Sequence, residues 1–335
     1  MKRVAIGIIG ILVLLGAGWY GFIRLSSGQS EANTSTYQME KAQIAALFKN
    51  HSPQDAYVEF KVDNKKRSQQ VQHLDAHLVG EQLYETVGIN GFTICDGTFG
   101  FGCFHGFLGS AIADRGVSVV PELDAACVQA YGVQGLGCSH GIGHGLVSYF
   151  GYNTADILKS LDMCSTLSWG KPYGGCRDGV FMEYTFRTME TEGNNRTREF
   201  SSTTKYEPCK SVPSDSEESC YFSLPAWWSD VLRSESKRFV DVSTYCHGVP
   251  GAANITSCFR GIGYAEAPIV SFSYDAGIQQ CDTYQGTSRL WCREGLAWAF
   301  YADPDLRDHV PQICTEGLSA SDAKKCIDEY LFVLK

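Results

Sequence analysis

The sequence predicts an all-α protein, about seven disulfide-stapled helical hairpins forming a solenoid or a closed α/α toroid, preceded by one N-terminal transmembrane helix. Three observations predict it. The fourteen cysteines fall into seven consecutive pairs: Cys95/Cys103, Cys127/Cys138, Cys164/Cys176, Cys209/Cys220, Cys246/Cys258, Cys281/Cys292 and Cys314/Cys326. The second members recur every 34 to 44 residues, a period typical of helical repeats. A phrase of the form Cys-x-polar-Gly follows five of them, as Cys103-Phe-His105-Gly106, Cys138-Ser-His140-Gly141, Cys176-Arg-Asp178-Gly179, Cys258-Phe-Arg260-Gly261 and Cys292-Arg-Glu294-Gly295.

The compartment follows from the amino terminus and the cysteine count. After Met1-Lys2-Arg3 come twenty uncharged residues, Val4 to Ile23, enough to span roughly 30 Å of hydrocarbon as a helix. The early positive charges favour an N-in orientation. A cleaved signal peptide is the rival reading, but the apolar run exceeds its usual span of roughly 7–15 residues. Either way, the rest of the chain meets an oxidising, extracytoplasmic space, as its fourteen cysteines also indicate. The expected division is a signal-anchor helix over 1–24, a polar stalk over 25–64 and a Cys-paired repeat domain over 65–335. With a formal net charge of −9 and no basic run longer than Lys65-Lys66-Arg67, nucleic acid is not an expected partner. The membrane is, through the N-terminal helix.

Taken in order, the stalk begins with Ser26-Ser27-Gly28-Gln29-Ser30 and holds one short amphipathic helix, Met39–Phe48. A stronger helix runs over Ser68–Thr86, with Val71, Leu74, Leu78, Leu83 and Tyr84 as its apolar stripe. Along one face it carries His73, His77 and Glu81, spaced i, i+4, i+8. From Cys95 onward the unit reads helix, Cys, loop, Cys, helix, with turn-rich loops such as Tyr131–Gly137 and Trp169–Gly175. A bond inside each pair closes a loop of about a dozen residues and contributes about 3 kcal/mol in the chain-entropy model. This local pairing is favoured. The alternative joins each second cysteine to the next unit's first, as Cys103 to Cys127, and leaves Cys95 and Cys326 to meet only in a ring. The segment Glu190–Glu207 is a polar insertion, and with Trp227 and Trp228 nearby it suggests a lid or contact surface. Asn195-Arg-Thr197 and Asn254-Ile-Thr256 match the glycosylation acceptor.

The position two residues after each second cysteine holds, in order, His105, His140, Asp178, Phe222, Arg260, Glu294 and Asp328. Acids in a first helical turn complement the helix dipole, but that does not account for His105, His140 or Arg260. His140 and His144 lie four apart on one helical face, among Gly141, Gly143 and Gly145. Each interior glycine costs the helix roughly 1 kcal/mol, so close approach of another backbone or of a ligand is expected there. His105, His140 and His144 are the candidate ligands of zinc or another divalent transition metal. Asp178 and Glu183 are the candidate catalytic carboxylates, Glu183 as base to a metal-bound water. His73, His77 and Glu81 are candidate ligand-binding residues. Arg260 and Glu294 are expected to pair with each other, and His51 and His309 read as surface residues.

In its period, the stretch 95–335 resembles Sel1-like and tetratricopeptide-type arrays, in which helical hairpins stack into a superhelix. That resemblance implies a concave face able to hold a protein or a small polar ligand. Tyr245-Cys246-His247-Gly248 and Trp291-Cys292-Arg293-Glu294-Gly295 are similar to zinc-ligand motifs of lanthionine-cyclase-like proteins, which are seven-hairpin toroids. The two motifs stand here in reversed order and both cysteines have repeat partners, so only the toroid topology carries over as an option. Three functions follow from the sequence: a membrane-anchored protein binding a metal or small ligand in a His-rich pocket, a metal-dependent hydrolase using the same histidines, or an interaction scaffold in which the histidines are structural.

Overall fold

All seven local cysteine pairs are disulfides, with Cα atoms 5.3–5.7 Å apart and partners 8–12 residues apart in sequence. No free cysteine remains. The alternative pairing between units is thereby excluded. The structure, a computed structural model, describes residues 37–132, 136–169, 173–189, 198–232, 238–303 and 305–332. The expected membrane helix over Val4–Ile23, the first part of the stalk and the acceptor Asn195 lie outside these. Among the described residues no helix is long and apolar enough to cross a membrane.

The chain is helical from its first described residues. Helix α1 covers 37–50; α2 covers Pro53–Asn64 and α3 Gln69–Val87. Next come α4 (Gly102–Arg115), α5 (Val120–Tyr131), α6 (Leu136–Phe150), α7 (Thr154–Ser165) and α8 (Cys176–Phe186). The second half holds α9 (Glu217–Val231), α10 (Arg238–His247), α11 (Ala252–Ile269), α12 (Tyr274–Cys281), α13 (Gly286–Ala302), α14 (Val310–Thr315) and α15 (Ala320–Phe332). Local chemistry sets several starts. Asn153 accepts from the Asp156 amide to cap α7, Ser273 does the same for α12, and Ser52 with Pro53 opens α2.

Helices α3, α4, α6, α8, α9, α11, α13 and α15 pack each on the next as an inner row. Helices α5, α7, α10, α12 and α14, all but α7 shorter than the inner helix that follows, each lie against that helix. A staple therefore joins each of them to the first turns of the inner helix that follows it. Two units depart from this: a 3-10 helix, Gly88–Ile94, precedes Cys95, and turns rather than a helix lead into Cys209. The two ends of the row also meet, Lys65 Nζ just ahead of α3 lying 2.8 Å from Asp305 Oδ2 just after α13.

Three differences from the sequence reading concern packing. The expected stalk is, from residue 37 to 64, two helices whose Ile44, Phe48, Ala56, Tyr57 and Phe60 are buried in the common core. The first is the amphipathic helix expected at Met39–Phe48; in the second, Pro53–Asn64, the apolar residues are too scattered to show a stripe in sequence. Trp227 and Trp228 are fully buried rather than exposed: the insertion itself, from Arg198 on, covers them, their indole N–H groups donate to the carbonyls of Arg198 and Lys205, and the Arg198 guanidinium lies 3.6 Å from the Trp227 ring centroid. Asn254 is buried and donates to Glu217 and to the Pro250 carbonyl, so it offers no accessible glycosylation amide.

The interior glycines serve one repeated contact between inner helices. A Cβ on Gly143 would lie 2.0 Å from the Cys176 carbonyl oxygen, and one on Gly179 would lie 2.0 Å from that of His140. The same reciprocal seating joins α3 to α4 through Gly80 and Gly106, and α11 to α13 through Gly263 and Gly295. Such spacing admits no side chain.

Two tests follow. Thiol titration of the unfolded, unreduced protein should find no reactive sulfhydryl. Gly295→Ala, whose Cβ would sit 1.8 Å from the Arg260 carbonyl oxygen, should cost about 3 kcal/mol or more by overpacking. Gly286→Ala, with no atom within 4 Å of its Cβ but a φ of +58°, should cost only about 1 kcal/mol in urea unfolding.

Candidate metal centre

The repeated contact decides which side chains meet. Across each reciprocal glycine pair, the residue before the second glycine faces the residue three before the first. In α3 and α4 these are His77 and His105; in α6 and α8, His140 and Asp178; in α11 and α13, Arg260 and Glu294. All three pairs touch: His77 Nε2 to His105 Nδ1 at 3.1 Å, His140 Nδ1 to Asp178 Oδ2 at 3.5 Å, and Arg260 Nε to Glu294 Oε2 at 2.8 Å. The last pair is the one expected from the sequence, and Arg260 also meets Glu329 at 3.0 Å.

The first two pairs adjoin, because α4 packs on α6. His144, one turn beyond His140, and His73, one turn before His77, complete a cluster of five imidazoles. Ring centroids lie 4.7 Å apart for His73 and His77, 5.2 Å for His105 and His140, and 4.2 Å for His105 and His144. His73 is partly exposed; the other four are buried, His105 to 1% and His144 to 0%. Two groups of three, His73/His77/His105 and His105/His140/His144, have donor atoms within 4.8 Å of one another and could each hold a metal ion.

Three of the rings are oriented from outside the cluster. His73 Nδ1 donates to the Phe99 carbonyl at 2.8 Å. His144 Nδ1 donates to Glu183 Oε2 at 2.9 Å, and His140 Nδ1 points at Asp178 Oδ2. His73 and His144 thereby leave Nε2 facing inward with its lone pair. This is the outer-shell support that metal-binding histidines use, with the second nitrogen tied to a carbonyl or carboxylate. His140 Nε2 donates to His144 Nε2 at 3.0 Å and would turn its lone pair inward only by moving that proton to Nδ1, beside Asp178. The two inward Nε2 atoms of His140 and His144 stand 3.0 Å apart, as do those of His73 and His77. Donors at tetrahedral zinc, with bonds of 2.0–2.1 Å, stand about 3.3 Å apart.

Neutral imidazoles alone do not satisfy this arrangement. His73 Nε2 is an acceptor, since its Nδ1 carries the proton. His77 Nε2 lies between that acceptor and His105 Nδ1, while His77 Nδ1 and His105 Nε2 are buried with no hydrogen-bond partner among the described residues. If His77 Nε2 donates, His105 must carry its proton on the partnerless Nε2. If His77 Nδ1 carries the proton, that N–H is the orphan and two lone pairs oppose each other at 3.0 Å. An orphaned buried donor costs about 1–3 kcal/mol. A cation accepting the lone pairs removes the conflict.

Burial holds the imidazoles of His73, His77, His105 and His144 below their ordinary range, with neighbouring imidazoles adding to the shift. They are therefore neutral, the form that ligates. Burial pushes the Glu183 carboxyl up to about 7, against four donors that favour its charged form: Tyr152 Oη at 2.6 Å, Thr188 Oγ1 at 2.6 Å, the Met189 amide at 2.9 Å and His144. Asp178 likewise accepts from Ser223 Oγ at 2.9 Å.

The cluster thus gathers the three candidate metal ligands and two of the three candidate ligand-binding residues, His73 and His77. Glu81 instead pairs with Lys41 at 2.6 Å. Asp178 and Glu183 sit behind the histidines as hydrogen-bond acceptors. His51 pairs with Glu59, His247 packs on Phe259, and His309 stacks on Tyr274. Sequence reasoning missed the Phe99 carbonyl and Tyr152. The first is turned toward His73 by three successive left-handed residues, Phe99, Gly100 and Phe101, with φ of 58°, 63° and 65°. Non-glycine residues in that conformation cost about 1–2 kcal/mol each, and the Phe-Gly alternation over 99–102 was the available sign. Nothing in the sequence marks Tyr152.

Tyr152→Phe keeps the ring under Arg187 but removes one of the four donors to Glu183. It should lower stability by about 1–2 kcal/mol in urea unfolding, with helix content and disulfides unchanged. No family model, curated protein or solved structure matches this chain.

Proposed function

We propose that this is a membrane-anchored, extracytoplasmic metal-binding protein that holds a divalent transition metal, zinc or copper, in a closed all-imidazole site. One observation carries the reading: His73 and His144, held at Nδ1 by the Phe99 carbonyl and Glu183, present inward lone pairs beside two further buried imidazoles, His77 and His105, that no neutral tautomer satisfies. Imidazole donors without thiolate or carboxylate suit zinc and copper over magnesium or calcium. The seven disulfides fit an oxidising exterior and leave no thiol to compete for the ion. Contact between residues 65 and 305 supports a closed ring of hairpins, and the N-terminal apolar run supports the tether.

Binding is favoured over hydrolysis by the same geometry. Structural metal sites are closed, whereas catalytic ones keep an open position. Here His144 and Glu183 are both 0% exposed, and the acceptor positions of Glu183 are taken by four donors, which leaves a base little to abstract with.

Metal analysis of protein purified without a polyhistidine tag should find zinc or copper bound. Chelation should lower the unfolding temperature, and restoring the ion at about a hundred times its dissociation constant should return about 2.7 kcal/mol. Acidification should release the ion, because protons compete for the imidazoles. A His140→Ala/His144→Ala pair should lose the part of the metal-dependent stability that the His105/His140/His144 group supplies. If the chelated and metal-loaded proteins melt alike and no ion co-purifies or rebinds, the histidines are packing residues and the scaffold reading replaces this one.

A further inference from the structure

The five histidines do not form a single coordination set. Bonds of 2.0–2.1 Å place any two donors on one ion at most about 4.2 Å apart. The donors here group instead as two triads, and the triads share one member, His105. One ion can use one triad. Filling both requires His105 to serve two ions.

We propose that His105 bridges two metal ions through its two ring nitrogens, the first ion held with His73 and His77 and the second with His140 and His144. The proposal rests on reading the cluster as a metal site. His105 Nδ1 already faces the first pair, 3.1 Å from His77 Nε2, and His105 Nε2 is buried without a partner. On the other side, the two inward Nε2 atoms of His140 and His144 stand 3.0 Å apart, each backed by a carboxylate. Coordination turns the His105 ring out of its parallel stack on His144, where the planes now differ by 18°.

The position of His105 suits a bridge for a structural reason. It lies in α4, the helix between α3 and α6 in the inner row. Its neighbours on one side supply His73 and His77, and those on the other supply His140 and His144. The staple Cys95–Cys103 and the Gly80/Gly106 contact hold its backbone. The chemistry balances without electron transfer. A neutral imidazole gives its free lone pair to the first ion; the second displaces the remaining N–H proton, which leaves to solvent, and an imidazolate of charge −1 links two dications. Bound cations strongly lower the pKa of the groups they touch, so the proton leaves at neutral pH.

The test uses the full chain in detergent, prepared without a tag, stripped with chelator and loaded with Cu²⁺ alone or with equal Cu²⁺ and Zn²⁺. Metal per chain is measured by elemental analysis and unpaired spins by electron paramagnetic resonance. The expected result is two copper ions per chain with most of the signal lost to coupling through the imidazolate. Acid unfolding should return both spins, which shows that the copper was not reduced, and the mixed copper–zinc protein should give an ordinary copper signal. Two copper ions with two full spins would overturn the bridge. One ion per chain would overturn it while leaving the metal site standing, and no ion of either kind would overturn both. His105→Gln should lose the coupling, through recovered spins or a missing ion; a coupled pair surviving in that variant also refutes the proposal. If the variant fails to fold, judged by helix signal and free thiols, the spin count of the unaltered protein decides alone.

Discussion

Two helix backbones can touch only where neither carries a side chain at the crossing, and the inner row of this protein is built on that constraint. Gly80 and Gly106, Gly143 and Gly179, Gly263 and Gly295 each seat against a carbonyl of the facing helix. The glycines weaken each helix as an isolated segment. The disulfides oppose that loss by closing a short loop at the start of each inner helix, and burial of the crossing supplies the rest. Staple and crossing lie within three residues of each other, so the intervening side chain has little freedom to move.

That side chain is where the repeats diverge. The same backbone frame presents imidazole against imidazole in the first crossing, imidazole against carboxylate in the second, and guanidinium against carboxylate in the third. The third pair is self-sufficient, since a charge-assisted bond satisfies both partners. In this half Tyr173 also fills the rim, bonding Ser257 Oγ at 2.6 Å and packing on Trp298 and Phe222. The first two crossings are not self-sufficient. They bring five rings together with fewer useful protons than contacts, and the shortfall falls on His77 and His105, the two rings with no acceptor behind them.

The outer acceptors explain why the cluster does not collapse into simple hydrogen-bonded pairs. Glu183 draws the Nδ1 proton of His144 outward, the strained turn at Phe99 does the same for His73, and Asp178 stands 3.5 Å from His140 Nδ1. Backbone held in a sparsely populated region persists where surrounding structure over-determines it, and such positions concentrate at functional sites. A side chain on Gly100 would come within 3.3 Å of His73 Nδ1, so the turn and the ring are matched in shape as well as in hydrogen bonding.

Much of the fold is legible in the amino-acid sequence. Cysteine spacing gave the hairpin count and favoured the local staple pattern, because a covalent link between near neighbours in sequence needs no knowledge of the distant chain. The structure decided that pattern against pairing between units. The i, i+4 spacing of His140 and His144 marked a shared face for the same local reason. Tertiary structure alone decided that His73, His77 and His105 join them, that Glu81 turns away to Lys41, and that residues 37–64 belong to the core rather than to a tether. Those outcomes depend on which helix lies beside which, and on a carbonyl or a tyrosine supplied from elsewhere in the chain. Periodicity reports the face a residue occupies on its own helix, and never what stands opposite.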